Sequence, residues 1–165
     1  MKNKTYLFLL IFVISILFIA KTNYIYGQNT YNDNKIIFNS LIENAQKNDW
    51  QKLPINNILI NSAMYFKDTP YKAATLEGQG KEICRIDLSG LDCFTLVENS
   101  ISFARIIKSK KYSFDDFIND ITYTRYRNGK IIDYTSRLHY SSDWIYDNIK
   151  KNVIKDITKE IGGVE

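Results

Sequence analysis

The sequence predicts an α+β protein in which helices dominate, on three observations. Apolar residues recur at three- and four-residue steps in several separate runs, the signature of helices with one buried face. Two shorter stretches, Lys81–Leu88 and Val153–Thr158, have the loose alternation or apolar clustering of short extended pieces. Finally, 45% of the 165 residues are apolar and 14% aromatic, with seven glycines and two prolines, which is enough to bury one core and argues against disorder.

The chain begins with a short basic stretch, Met1–Lys4, followed by the uncharged Tyr6–Ala20 and the more polar Lys21–Gly27. That order is the pattern of a secretory signal peptide over residues 1–27, cleaved after Gly27. The uncharged stretch is shorter than the ~20 residues of a membrane span. No stable span is therefore expected after cleavage, and an uncleaved anchor is the alternative. Residues 28–165 are then one exported domain, periplasmic or extracellular. Without Lys2, Lys4 and Lys21, the 22 basic residues fall to 19 against 18 acidic ones, and the formal charge drops from +4 to +1. No basic surplus remains to suggest nucleic acid. One histidine and two cysteines without ligand spacing predict no metal site and no cofactor.

Tyr31–Asn48 carries Ile36, Ile37, Leu41, Ile42 and Ala45 at helical spacing. Pro54 suits the first turn of a second helix, with Ile55, Leu59, Ala63, Met64 and Phe66 facing inward. Pro70 forces Thr69 extended and ends that helix, and the polar Tyr71–Gly80 reads as a loop. Ser113 and Asp116 form a variant capping box for a helix with Phe114, Phe117, Ile118 and Ile121 inward. Asn128-Gly129 signals a chain reversal. Ser141 or Ser142 caps a last helix carrying Trp144, Ile145 and Ile149.

The stretch that carries chemistry is Asp87–Asn99. Gly90 breaks the chain, Asp92 is a good N-cap, and Leu96, Val97, Ile101, Ala104 and Ile107 give a helix running to about Lys108. Cys93 therefore falls at the helix N-terminus, where unpaired amides and the helix dipole favour an anion, the condition under which a thiol acts as a nucleophile. The alternatives are a small residue starting a core helix, or a disulfide between Cys84 and Cys93 in an oxidising compartment.

Thr69-Pro70-Tyr71, Thr75-Leu76-Glu77, Leu91–Glu98, Arg125–Gly129, Ser136–Tyr140 and Asp143-Trp144-Ile145 resemble, in the same order, the blocks of the DUF1460 family. That family is similar to N-acetylmuramoyl-L-alanine amidases and is grouped with the NlpC/P60 papain-like cysteine hydrolases. The resemblance runs from about Ile55 to Gly163. It implies the helix-rich N-terminal part of an NlpC/P60-like fold, and cleavage of the amide joining muramic acid to L-alanine in peptidoglycan fragments. Cys93 then attacks the carbonyl, a histidine moves the proton, a polar residue orients that histidine, and backbone amides hold the oxyanion. Tyr71 matches an active-site tyrosine, and Asp92 caps and orients the cysteine helix. Arg125, Arg127, Arg137, His139 and Tyr140 are expected to line the cleft and bind muropeptide hydroxyls and carboxylates. The competing reading of each arginine is an ion pair, with Asp133 or Asp143 as partner.

The sequence also departs from the family pattern. The family's catalytic histidine lies beyond the Ser-Arg-Leu-His-Tyr block, on a strand of a C-terminal β-barrel, most of which is expected to be absent here. The single histidine, His139, matches a different position. Two readings follow: an N-terminal part of an amidase that carries the nucleophile without its base, or a reduced Cys93/His139 dyad. A non-catalytic muropeptide-binding module is the alternative to both.

Overall fold

Phe103 is the residue on which the helices converge. Its ring lies 4.2 Å from that of Phe117, 5.7 Å from Phe38 and 5.9 Å from Phe66, centroid to centroid. These side chains come from four different parts of the chain. In the computed structural model the backbone is described for residues 2–163, and side chains for residues 10–22 and 30–163. The helices are α1 (Lys2–Lys47), α2 (Ile55–Tyr65), α3 (Cys93–Lys108), α4 (Phe114–Arg125) and α5 (Ser141–Lys150). Single 3-10 turns span Trp50–Lys52, Arg127–Gly129 and Tyr134–Ser136.

The buried face of α1 is Asn34, Phe38, Leu41, Ile42 and Ala45, whereas Ile36 is exposed. In α2 the buried residues are Ile58 and Ser62, with Phe66 just beyond, while Ile55 and Met64 face solvent. Leu59 and Phe66 of the expected stripe pack against the core, and the fully buried positions within the helix fall to Ile58 and Ser62. The expected start and end of the cysteine helix are those of α3. Ser113 accepts from the Asp116 amide at 3.0 Å and donates to its carboxylate at 2.6 Å, which caps α4 as expected. Helix α5 starts after Tyr140, which makes no side-chain cap, so neither Ser141 nor Ser142 takes the capping position. Asn148 on α5 donates to the Thr124 carbonyl at 2.9 Å and ties α5 to the end of α4.

Among the described residues no strand is formed; Tyr71 with Leu91 and Tyr126 with Arg137 are isolated bridges. The α+β expectation, and with it the NlpC/P60-like assignment, is corrected: the architecture is mainly helical. The physical reason lies in how Lys81–Leu88 satisfies its backbone. Asn34 donates to the Ile86 carbonyl at 2.8 Å and accepts from the Leu88 amide at 2.6 Å. The Ile83 carbonyl accepts from the Tyr126 hydroxyl at 3.0 Å, and the Arg85 carbonyl accepts from Arg125. Side chains thus supply partners that a neighbouring strand would otherwise provide. In the other expected strand, the Val153 amide bonds back to the Asn148 carbonyl at 2.9 Å and the Thr158 amide to the Asp156 carboxylate at 2.8 Å, so the segment closes into turns.

No helix among the described residues is long and apolar enough to cross a membrane. The side chains around the expected cleavage site after Gly27 lie outside the described residues.

Phe103→Ala is expected to lower stability by about 3–5 kcal/mol, because its cavity opens where three other rings meet. Ile60→Ala, on the exposed face of α2, should cost within about 0.5 kcal/mol. Urea unfolding of both variants checks the contrast.

Candidate active site

The cysteine helix starts under tight local control. Asp92 Oδ1 accepts from the amides of Phe94 at 3.0 Å and Thr95 at 2.7 Å, and Thr95 Oγ1 accepts from the Asp92 amide at 2.9 Å. This reciprocal box fixes the entry of the chain into α3. Upstream, the Leu91 amide donates to the Pro70 carbonyl and the Lys72 amide to the Leu91 carbonyl, both at 3.1 Å. That single bridge sets exposed Tyr71 beside the turn that delivers Cys93. Asp87 stiffens the same turn. Partial burial pushes its carboxyl up, but bonds from Lys72 and Ser89 outweigh this and hold it below the usual range.

Cys93 is exposed at the first position of α3, and both cysteines are free thiols. The disulfide alternative is therefore not formed. Cys84 lies beneath the segment, 3.9 Å from Arg125 Nη1. Burial pushes the Cys84 thiol up, against the lowering influence of Arg125, so it is held as an inert thiol.

Beneath α3, Glu98 is fully buried. Its Oε2 accepts from Arg125 Nε at 2.7 Å and its Oε1 from Trp144 Nε1 at 3.1 Å. Arg125 is 2% exposed. Burial pushes its guanidinium pKa down, but Glu98 more than compensates and holds it above its ordinary value, so the charge persists. Phe94 meets Trp144 edge to face at 5.6 Å, which adds a second contact between α5 and the first turn of α3. Tyr126 donates to Glu82 at 2.7 Å, and burial together with that bond pushes its hydroxyl up, so it stays protonated.

A cavity of about 200 Å³ opens beside the start of α3, lined by Asp92, Phe94, Glu77, Arg137 and His139, with Arg125 at its floor. The expected site residues therefore separate by role. Arg137, His139 and Asp92 share the groove. Arg125 underlies it, committed to Glu98. Arg127 pairs with Asp143 at 2.9 Å on the surface and tethers the Arg127–Gly129 turn to α5. Asp133 caps its own turn through the Thr135 and Ser136 amides. Tyr140 is exposed at the start of α5. His139 Nε2 lies 2.8 Å from the Tyr134 carbonyl. A carbonyl only accepts, so Nε2 is the donor in this bond. Its ring packs on that of Tyr134 at 4.3 Å.

Sequence reasoning placed Glu98 and Trp144 in the family blocks but gave neither a role in the site. The available signal was an acidic residue on the buried face of an apolar helix, which requires a cationic or donor partner elsewhere. Glu77, which pairs with Arg137 at 2.8 Å, also escaped notice as a site residue. Among the described residues no group of three or more His, Cys, Asp or Glu is arranged to hold a metal ion.

Comparison with known proteins places this geometry. A family model described as AmiA-like, N-acetylmuramoyl-L-alanine amidase-like, matches residues 61–164. A crystal structure of an N-acetylmuramoyl-L-alanine amidase from Bacteroides uniformis is 36% identical with a TM-score of 0.60, over 63% of this chain and 43% of that one. A structure named a putative xylanase from Bacteroides fragilis is 39% identical with a TM-score of 0.57, over 61% and 43%. A Legionella pneumophila protein of the DUF1460 family model is 26% identical with a TM-score of 0.67, over 81% and 43%. The chain thus spans less than half the length of these solved structures. No curated protein matches it.

Two outcomes follow from the site. Iodoacetamide should alkylate Cys93 quickly and Cys84 only on unfolding, as read by peptide mass spectrometry; equal rates would contradict the placement of the two thiols. Glu98→Ala leaves Arg125 buried without its counter-charge and should cost about 3–5 kcal/mol in chemical unfolding.

Proposed function

The chain belongs to the AmiA-like, N-acetylmuramoyl-L-alanine amidase-like family, and from that premise we propose that it carries the nucleophile and half the cleft of a cysteine-type muropeptide amidase. The observation that supports this most is the exposed Cys93 at the head of α3, whose chain neighbours Asp92 and Phe94 line a groove together with Arg137 and His139. In the proposed reaction Cys93 Sγ attacks the lactyl carbonyl of an N-acetylmuramoyl-L-alanyl peptide. A carbon–sulfur bond forms, the carbon–nitrogen bond breaks, and the amine of alanine leaves with the proton. Water then cleaves the thioester to the muramic carboxylate and free thiol.

Asp92 already holds the Phe94 and Thr95 amides. The oxyanion therefore falls to the Cys93 amide, with further donors from outside the α3 cap. Exposed Tyr71 and Tyr140 flank the approach of the sugar and peptide. The proton acceptor in this reading comes from the portion of the family fold that the chain does not span. A second reading, favoured by the place of His139 in the same groove, makes His139 the base of a Cys93/His139 dyad.

The side chains of Leu10–Ile19 are exposed and unpacked, which supports their use as an export signal rather than as core. The cleaved protein would then begin at Gln28, and N-terminal sequencing of the exported chain tests this; a mature N-terminus at Met1 would contradict it.

Hydrolysis of an anhydro-muropeptide, followed by mass spectrometry, tests the amidase reading. Cys93→Ala should abolish release of the peptide, and His139→Ala should leave acylation of Cys93 intact. Loss of acylation in a folded His139→Ala chain would transfer the base to His139. Cleavage that persists in Cys93→Ala would overturn the nucleophile.

A further inference from the structure

Arg137 is the groove residue whose bonding is incomplete. Its side chain is 4% exposed. Nη1 donates to the Leu76 carbonyl at 2.7 Å, and the guanidinium sits 4.8 Å from the centroid of the Tyr134 ring. Nη2 donates to Glu77 Oε1 at 2.8 Å. Nε has no hydrogen-bond partner, and Glu82 Oε1 stands off at 3.7 Å. Nε and Nη2 form one edge of the guanidinium, the fork that grips a carboxylate with two parallel bonds. Glu77 fills the Nη2 prong from the solvent side, and the buried Glu82 carboxylate faces the Nε prong.

The surrounding charges show which partner can leave. Arg125 is locked to buried Glu98. Glu82 is buried, accepts from Tyr126, and stands 3.9 Å from Arg85. Glu77 is different: its side chain is 54% exposed, and it lies on a loop between Ala74 and Gly80, both at positive φ. Its departure would open the Nη2 prong of Arg137 to the groove, with Glu82 still facing Nε. Arg137 is buried and needs a counter-charge at that prong, and an incoming carboxylate supplies the one that Glu77 withdraws.

We propose that Arg137 is a carboxylate-recognition site held by Glu77 in the resting protein, and that a carboxylate of the bound peptide displaces Glu77 and takes its place at Nη2. This rests on the muropeptide reading above and assigns to that cleft a preference for acidic stem peptides. Glu77 is a built-in competitor that weakens binding of neutral or amidated peptides less than it weakens binding of acidic ones.

The test is calorimetric binding to the full chain carrying Cys93→Ala, with N-acetyl-L-alanyl-D-glutamate and its neutral diamide as probes. The acid should bind about tenfold more tightly than the diamide. Glu77→Gln should tighten the acid by about five- to tenfold and leave the diamide unchanged. Arg137→Lys, with helicity checked by circular dichroism, should erase the preference; if it fails to fold, Glu77→Gln decides alone because Glu77 is largely exposed. Equal binding of the two probes, no binding of the acid, or an unchanged acid affinity in Glu77→Gln would overturn the proposal. Because no hydrolysis is read, such a failure alongside Cys93-dependent cleavage sinks only the Glu77 exchange. An intact acid preference without Cys93-dependent cleavage supports the exchange and sinks the amidase reading.

Discussion

The carboxylate of Glu98 is the point on which the site depends. It is buried beneath α3, and its two oxygens accept from Arg125 at the end of α4 and Trp144 on α5. A charge taken out of water this completely is tolerable only when paired and bonded. The three helices are therefore constrained to one mutual arrangement. Glu98 lies five residues after Cys93, about 7.5 Å along the helix axis, so the same constraint fixes where the thiol emerges. The net gain in stability from such a pair is modest, but the penalty for any register that separates its members is large.

From that clamp outward, the site is organised as nested pairs of opposite charge. Arg125 with Glu98 is sealed, Arg85 and Tyr126 hold Glu82 beneath the surface, and Arg137 with Glu77 opens to solvent. Burial of the pairs decreases in that order, from a sealed floor to a wall whose carboxylate faces solvent. The Asp92 cap serves the same end at the helix start. It spends two backbone donors on local order and leaves Cys93 presented on a stiff turn rather than on a free loop. Phe94 against Trp144 couples the cap to the clamp.

Much of this was legible wherever the governing interactions are local. The limits of α3 follow from Gly90, Asp92 and the apolar spacing after Cys93, and the Ser113–Asp116 cap of α4 was readable for the same reason. The family resemblance was legible in ordered blocks. What could not be read depends on partners far apart in the chain. Lys81–Leu88 looks like a short extended piece, but Asn34, Arg125 and Tyr126 supply its hydrogen bonds, so no sheet follows and the architecture is helical. Arg125 looked like a ligand-binding arginine because its partner, Glu98, sits 27 residues away on another helix. Arg127 did pair with Asp143, one of the two partners expected. Of the inward face expected for α2, Leu59 and Phe66 pack against the core, but Ile55 and Met64 face solvent and Ile58 and Ser62 take the fully buried positions.

The central claim is that the chemistry of this chain belongs to the sulfur at the head of α3. Peptide-level mass spectrometry of the protein quenched in acid during incubation with an N-acetylmuramoyl-L-alanyl peptide tests it most directly. The account predicts a muramoyl thioester, sensitive to hydroxylamine, on the peptide that contains Cys93. A covalent adduct on Cys84 or on another residue, or substrate turnover with Cys93 unmodified throughout, would contradict it.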